Sequence, residues 1–338
     1  MNSNIASQII RQKATVETVF ELPLTSRLYG PRMDKNNNLY VCSQIGEIIK
    51  FNENGEYSIF MSVTGQPNCI VFDSIEPPSN QEDSNRNNNN NSKTEFQEEI
   101  YYTDIANSVI YVKKPETDLE VLVKDYQGYP LKGPTSLALN IADNSLLFCD
   151  AGYFESTSLN KPEGSVFHVD IESSTVTPIL LNCLAYPSDI YFDNLLGIGY
   201  IAETFNNRII KITENPQGVY HCSVFYVFSG RVGPTAITCD KDANIYVSRF
   251  EYQNKKKDED GIISVINKEG ELVGEIIVPE MSEIVGIFIP RNDNVDENAE
   301  EDINKDTTLY LTERNFNGVK KIKISDFISE INKKAEHY

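Results

Sequence analysis

Short apolar runs separated by polar turns occur along nearly the whole chain. Residues 30–61 are representative, since strands are expected at Arg32–Asp34, Leu39–Cys42, Glu47–Phe51 and Tyr57–Met61 with Asn- and Gly-containing turns between them. Turns spaced about eight to twelve residues apart, between runs of this length, indicate an all-β protein. No apolar spacing typical of an amphipathic helix occurs before the C-terminus.

This pattern occurs six times along the chain. The first strand of a repeat opens at one of these residues: Pro31, Pro67, Pro134, Pro187, Pro234 or Ile284. The second apolar run ends on a small residue followed by a polar one: Cys42-Ser43, Thr103-Asp104, Cys149-Asp150, Ala202-Glu203, Ser248-Arg249 or Thr312-Glu313. A repeat of about 45–50 residues holding several strands is typical of a propeller blade. The sequence therefore predicts an all-β, six-bladed β-propeller.

The sixth repeat lacks its last strand, and the N-terminus offers a replacement. Val16–Leu22 alternates apolar and polar residues as a half-buried strand does. We expect it to complete the last blade and so close the ring without an exposed edge. The expected organisation is an N-terminal arm (1–15), the propeller (16–325) and a C-terminal tail or short helix (326–338).

Two acidic segments, 76–99 and 292–306, interrupt the repeats. The first has five successive asparagines, six acids and two bases, and the second has seven acids and one base. We interpret them as insertions, and the first as a disordered loop, because they cannot bury enough apolar surface to offset their ordering entropy. They hold half of the net charge of −20. The acidic balance argues against nucleic acid and anionic membranes, and leaves protein partners or cationic ligands.

The cysteines and the termini bear on location. None of the six cysteines lies in a CxxC pair and the chain has three histidines, so a zinc site of standard spacing is not expected. There is no apolar N-terminal signal segment and no run of membrane-spanning length. We therefore expect a cytoplasmic protein. The Asn-rich insertion suggests the cytoskeleton or a cilium as a more specific location.

Two sets of polar side chains should meet at one mouth of the central channel, because the first and second strands of a blade run antiparallel. The first set follows the opening proline of each blade: Arg32, Asn68, Thr135, Ser188 and Thr235. The second set ends the second strands: Ser43, Asp104, Asp150, Glu203, Arg249 and Glu313. They could form a carboxylate-rich site in which Asp104, Asp150 and Glu203 hold a metal ion. Alternatively, these residues only bond their own turns, and Glu203 pairs with Arg249 at the rim.

No catalytic residue stands out. His168 and His221 lie within strands, and neither has a nucleophile or an acid nominated by spacing. The glycines show no phosphate-loop pattern.

Repeats three to five resemble the senescence marker protein-30/gluconolactonase and strictosidine synthase-like group of six-bladed propellers. The matching stretches are Tyr186-Pro187-Ser188-Asp189-Ile190, Tyr200-Ile201-Ala202-Glu203-Thr204 and Asn207-Arg208-Ile209. The family pattern there is a proline-asparagine-glycine start, a strand ending in Ala-Glu-Thr and an Arg-Ile strand. The resemblance implies one divalent cation at the channel mouth. Its ligand positions carry over to Tyr29, a residue near Pro134, Ser188 and Thr235, where the usual carboxylates and amides are missing.

From these missing ligands we expect a non-catalytic propeller without a cofactor, acting as a protein-interaction or scaffold module. The alternative is a divergent lactonase or esterase that uses Ca²⁺, Mg²⁺ or Zn²⁺. In that case Asp104, Asp150 and Glu203 would hold the ion in place of the usual ligands, and the ion would polarise the carbonyl.

Overall fold

The computed structural model describes residues 9–22, 26–52, 54–74, 98–153, 155–230, 233–250, 260–290 and 307–335. Apart from Glu98 and Glu99, the insertions expected at 76–99 and 292–306 lie outside these residues. Two strands precede the first blade: β1 (Ile10–Lys13) and β2 (Val16–Glu21).

The blades are antiparallel sheets in which consecutive strands are neighbours. Blade one comprises β3 (Leu28–Met33), β4 (Leu39–Ser43), β5 (Glu47–Phe51) and β6 (Tyr57–Ser62), and blade two comprises β7 (Pro67–Ser74), β8 (Glu98–Asp104), β9 (Val109–Lys113) and β10 (Leu119–Val123). A small hairpin of β11 (Asp125–Tyr126) and β12 (Tyr129–Pro130) follows. Blade three comprises β13 (Pro134–Asn140), β14 (Ser145–Asp150), β15 (Gly164–Asp170) and β16 (Thr175–Leu184). A 3-10 turn at Ile141–Asp143 follows β13.

The last three blades repeat this arrangement. Blade four comprises β17 (Pro187–Asp193), β18 (Ile198–Glu203), β19 (Arg208–Glu214) and β20 (Tyr220–Val227), and blade five comprises β21 (Pro234–Cys239), β22 (Ile245–Arg249), β23 (Gly261–Ile266) and β24 (Leu272–Val278). Blade six comprises β25 (Ile284–Phe288), β26 (Thr308–Glu313) and β27 (Gly318–Lys323). The predicted all-β, six-bladed β-propeller is confirmed.

The ring closes as predicted. Strand β2 pairs antiparallel with β27, with Val16 opposite Ile322 and Glu21 opposite Gly318, and so becomes the fourth strand of blade six. Phe20 of this strand is buried in a cluster with residues of blade one, including Phe51. The N-terminal strand therefore both completes the last blade and packs it against the first.

Both ends of the described part of the chain pack onto the propeller. Strand β1 lies within the expected arm and pairs parallel with β24, from Ile10 opposite Gly274 to Lys13 opposite Ile277. It gives blade five a fifth strand. The C-terminal region forms helix α1 (Ser325–Ala335), whose Phe327 lies in the same apolar cluster as Ile10. No helix among the described residues is long and apolar enough to cross a membrane.

Burial explains the sequence pattern of the second strands. Every residue of β4, β14 and β22 is buried, whereas the outer strands β6 and β20 are largely exposed. A second strand has neighbours within its own sheet and adjacent blades on both faces, so it reads as a continuous apolar run. The first strands β3, β7, β13, β17, β21 and β25 surround the channel. We call their N-terminal ends the proline mouth and their C-terminal ends the distal mouth.

Candidate functional site

At the proline mouth, four of the five residues that follow the predicted blade-opening prolines bond to the neighbouring blade. Arg32 is the exception, because β3 opens at Leu28, which pairs with Ser43, and Arg32 lies further along the strand opposite Tyr40. The bonds are Asn68 Nδ2 to Thr135 O (2.6 Å), Thr135 Oγ1 to Pro187 O (3.0 Å), Ser188 Oγ to Pro234 O (3.4 Å) and Thr235 Oγ1 to Ile284 O (2.8 Å). Each bond joins the first strand of one blade to that of the next. These side chains therefore tie the inner strands together, and the opening that they surround holds only about 30 Å³.

The acids at the ends of the second strands bond the loops that lead into their own blades. Backbone N–H groups donate to them as follows: Gln66 N to Asp104 (3.0 Å), Gly133 N to Asp150 (2.7 Å), Ala185 N to Glu203 (2.7 Å) and Glu283 N to Glu313 (3.2 Å). In blade one, Ser43 is hydrogen-bonded instead to the Ser26 hydroxyl. The bonds of these four acids are of the kind that the turn-chemistry alternative describes.

The two predicted sets do not form one site. All five members of the first set line the narrow opening, together with Tyr29, but no member of the second set does. The pairing of Glu203 with Arg249, which the alternative interpretation included, is not found between these two described residues. Glu203 forms an ion pair with Arg208, and Arg249 forms one with Glu275 (Nη2 to Oε1, 2.9 Å).

These contacts determine whether the residues at the proline mouth could bind a metal ion. Within the described ranges, no group of three or more His, Cys, Asp or Glu side chains could hold one. The Ser188 and Thr235 hydroxyls, which stand at ligand positions implied by the resemblance, already donate to carbonyl groups. Because hard cations need several free oxygen ligands, the residues present do not fit the implied site.

A larger cavity of about 610 Å³ lies beside the proline mouth, among the loops of blades two to four. We call it the proline-face cavity. Its lining includes small residues and two tyrosines: Ala106, Gly133, Ala151, Gly152, Tyr153 and Tyr186. The Tyr186 ring stacks on Phe205 with centroids 5.2 Å apart, whereas the Tyr153 side chain is exposed. The repeat pattern did not predict this cavity, although the long loop after Asp150 and the tyrosine before Pro187 are visible in the sequence.

Asp150 does not itself line the proline-face cavity, but it bonds two residues that do. Its Oδ1 accepts hydrogen bonds from the backbone N–H groups of Lys132 (2.9 Å) and Gly133 (2.7 Å), and both residues line the cavity. Burial raises the pKa of Asp150 to about 6, although these N–H groups and the Lys132 charge oppose the shift. Its second oxygen, Oδ2, has a single longer contact, 3.1 Å from Lys132 N.

Asp189 lies inside the channel and was not among the predicted site residues. Its carboxylate accepts hydrogen bonds from Ser136 Oγ (2.5 Å), Ile190 N (3.0 Å) and Ile237 N (2.8 Å), so it joins blades three, four and five. Burial raises its pKa, while the charge of Arg32 and these bonds oppose the shift. The sequence carried a signal, since Asp189 stands where the family pattern has glycine.

Comparisons with known proteins agree with this fold. No protein-family model matches the chain. It is 29% identical over 134 residues to lactonase drp35 of Staphylococcus haemolyticus, which is 38% of this chain and 38% of that protein. It is 28% identical over 144 residues to lactonase drp35 of Staphylococcus epidermidis, or 40% and 42% of the two chains. The similarity thus spans less than half the length of these relatives.

Similar solved structures extend over nearly the whole chain. A gluconolactonase from Xanthomonas campestris superposes with a TM-score of 0.65 at 14% identity, covering 92% of this chain and 89% of its own. Regucalcin from Agrobacterium tumefaciens, a calcium-binding protein, superposes with a TM-score of 0.66 at 13% identity, covering 92% and 94%. At such identities the likeness shows the fold alone. The resemblance to the senescence marker protein-30/gluconolactonase group of propellers is confirmed.

These comparisons correct two expectations. A non-catalytic scaffold is contradicted, because the relatives in sequence are lactonases; the hydrolase alternative agrees with them better. The expected lack of a cofactor is not supported either, since a similar structure is a calcium-binding protein. Nothing in the comparisons supports the cytoskeletal or ciliary location.

Proposed function

We propose that this protein hydrolyses a lactone or ester bound in the proline-face cavity. The observation that carries the proposal is the sequence similarity to lactonases over 134 residues. Because that similarity covers 38% of the chain, the substrate and the residues that act on it are part of the proposal.

The proline-face cavity suits a small cyclic ester. Its volume of about 610 Å³ falls within the range of ligand sites. Small residues such as Ala106 and Gly152 let the substrate approach the backbone, and the rings of Tyr153 and Tyr186 offer apolar contact. A lactone, which carries no charge, needs little more than apolar walls and a few hydrogen-bond donors.

Asp150 is the proposed general base. A carboxylate with a pKa of about 6 is ionised at neutral pH yet more basic than an ordinary aspartate, which suits proton abstraction from water. The water oxygen would bond to the substrate carbonyl carbon while its proton passes to Asp150. The ring C–O bond would then break, and Asp150 would return the proton to the leaving oxygen. One lactone and one water give one hydroxy acid, so no further reactant is needed.

A divalent cation is assigned no step in this reaction. A bound ion is supported by the similarity to the structure of a calcium-binding protein. The Ser188 and Thr235 hydroxyl oxygens at the proline mouth, however, do not fit a hard cation. Turnover is therefore best measured both with a chelator and with added Ca²⁺, Mg²⁺ or Zn²⁺. Activity that survives chelation would assign the chemistry to the side chains alone.

The test uses the full-length protein and a panel of γ- and δ-lactones and aryl esters, followed by proton release. We expect turnover above the rate of spontaneous hydrolysis, and a loss of turnover in Asp150→Asn. Glu155→Gln, an exposed acid at the rim of the same cavity, is the matched control and should retain activity. Absence of turnover under every metal condition would contradict the proposal.

A further inference from the structure

The distal mouth opens into a second cavity of about 500 Å³, which the proposed reaction does not use. We call it the distal cavity. Most of its lining is apolar and comes from the C-terminal ends of the first strands: Met33, Phe72, Leu139, Phe192, Phe288 and Ile289. The turns after β13 and β17 add Ala142 and Leu195 at the rim, both exposed.

Arg32 is the cation of this cavity. It lines both the distal cavity and the narrow opening at the proline mouth, so its side chain lies at the boundary between the two. The guanidinium carbon lies 5.7 Å from the centre of the Phe288 ring. That ring also lines the cavity, and the contact directs the charge towards its apolar walls.

The Arg32 guanidinium keeps unused hydrogen-bond donors. Nη1 donates to Pro31 O at 2.9 Å, and Nη2 has a weak contact of 3.9 Å with the Cys69 sulfur. Within the described residues it forms no ion pair with a carboxylate and has no other acceptor. A half-buried guanidinium presents five donors, so most of them remain available to a ligand.

The acids closest to the cavity do not replace such a ligand. Asp189 is engaged by Ser136, Ile190 and Ile237, and it forms no ion pair with Arg32 within the described residues. Asp193 lines the cavity, but its Oδ1 accepts the backbone N–H groups of Leu195 (3.0 Å) and Leu196 (3.1 Å).

We propose that the distal cavity binds an amphipathic carboxylate, whose carboxyl group pairs with Arg32 and whose hydrocarbon part lies along the apolar walls. A guanidinium binds a carboxylate through two parallel N–H bonds, and this pairing is strong where water is excluded. A volume of about 500 Å³ accommodates a medium-length alkyl or aryl chain. The proposal does not depend on the lactonase activity, because the site lies at the other end of the channel.

The first test compares ligands that share a tail and differ in charge. Octanoate, 1-octanol and octylamine are titrated into the wild-type protein by calorimetry, with acetate as the head group without a tail. Octanoate should bind at least about tenfold tighter than each of the others, because only it can use both the charge and the apolar walls. Equal affinity for octanoate and 1-octanol would overturn the proposal, and so would an absence of octanoate binding.

The second test locates the site with substitutions. Arg32→Gln should reduce octanoate affinity about tenfold or more, to the level of 1-octanol. Ala142→Trp should plug the distal cavity and abolish binding, whereas Ala106→Trp at the proline-face cavity should leave it unchanged. Octanoate binding lost in Ala106→Trp but retained in Ala142→Trp would contradict the assignment.

A spectroscopic readout covers the case in which Arg32→Gln does not fold. The chain contains no tryptophan, so Leu195→Trp at the exposed rim creates a single reporter. Octanoate should shift its emission to shorter wavelength with the affinity found by calorimetry. A titration with no spectral change, alongside measurable calorimetric binding, would place the ligand elsewhere and overturn the proposal.

Discussion

The two mouths of the channel are built from opposite ends of the same six strands, yet they differ in chemistry. At the proline mouth, Asn68, Thr135, Ser188 and Thr235 bond across blades and leave an opening of only about 30 Å³. At the distal mouth, apolar side chains diverge and leave about 500 Å³. Polar residues around an axis can thus be structural, while a mainly apolar mouth with one cation has the character of a binding site.

The largest expected effect separates the mouths by activity. Ala106→Trp should reduce kcat/KM for a lactone at least about a hundredfold, because the indole occupies the proline-face cavity and displaces the substrate. Ala142→Trp should change it less than about twofold, since position 142 lies at the distal rim. Both positions are exposed, so folding should be retained in both. Similar losses in the two variants would remove the functional distinction between the mouths.

Inside the channel, Asp189→Ala should lower the free energy of unfolding by about 2 kcal/mol, because the buried Ile237 N–H and Ser136 hydroxyl lose their hydrogen-bond acceptor. Urea unfolding at pH 7 measures this. Glu120→Ala, an exposed acid on β10, is the control and should leave the midpoint unchanged.

The raised pKa of Asp189 predicts that the free energy of unfolding depends on pH. Its folded pKa is raised by burial, so the folded protein holds a proton over a range in which the unfolded chain has released it. The contribution of Asp189 to the free energy of unfolding should therefore fall as pH rises from the ordinary aspartate range through the raised pKa. Asp189→Asn should remove that part of the slope. An identical pH dependence in wild type and variant would show that the carboxyl group titrates normally.

Activity should rise with pH on the proline face. With the pKa of Asp150 at about 6, the ionised base becomes about tenfold more abundant between pH 5 and pH 7. kcat/KM should follow that rise and level off above it. Octanoate binding at the distal mouth is the internal control, since Asp150 bonds residues of the proline-face cavity and none of the distal cavity. A flat activity profile across this range would exclude Asp150 as the base.

The smallest expected effect concerns the bonds between blades. Thr235→Val should cost about 1 kcal/mol, because Thr235 Oγ1 donates to Ile284 O at 2.8 Å. Ser188→Ala should cost less, since its bond to Pro234 O is longer, at 3.4 Å. Calorimetric unfolding at one scan rate compares the pair. The reverse order of costs would mean that the two bonds do not act as equivalent ties.

The repeats, the blade count and the closing strand were predictable because each depends on the local alternation of apolar and polar residues along the sequence. Strand β1 was not, since its pairing with Gly274 and Ile277 depends on a sheet edge far away in sequence. The predicted mouth residues are polar, but their hydrogen-bond partners are backbone atoms of neighbouring blades. The order of residue types along the chain does not show such contacts between blades. Arg32 was a candidate, whereas the distal cavity around it arises from side-chain sizes on several blades at once.

The closing strand β2 also sets an order of events during synthesis. It leaves the ribosome before the strands of the six blades, whereas its partner β27 is made after the other blade strands. Throughout translation the nascent chain must carry β2 as an unpaired segment with apolar residues such as Phe20. A premature stop before β27 would leave both β2 and the final blade incomplete. Ring closure therefore requires that both β2 and β27 have been made, so only a chain that contains the whole propeller can close the ring.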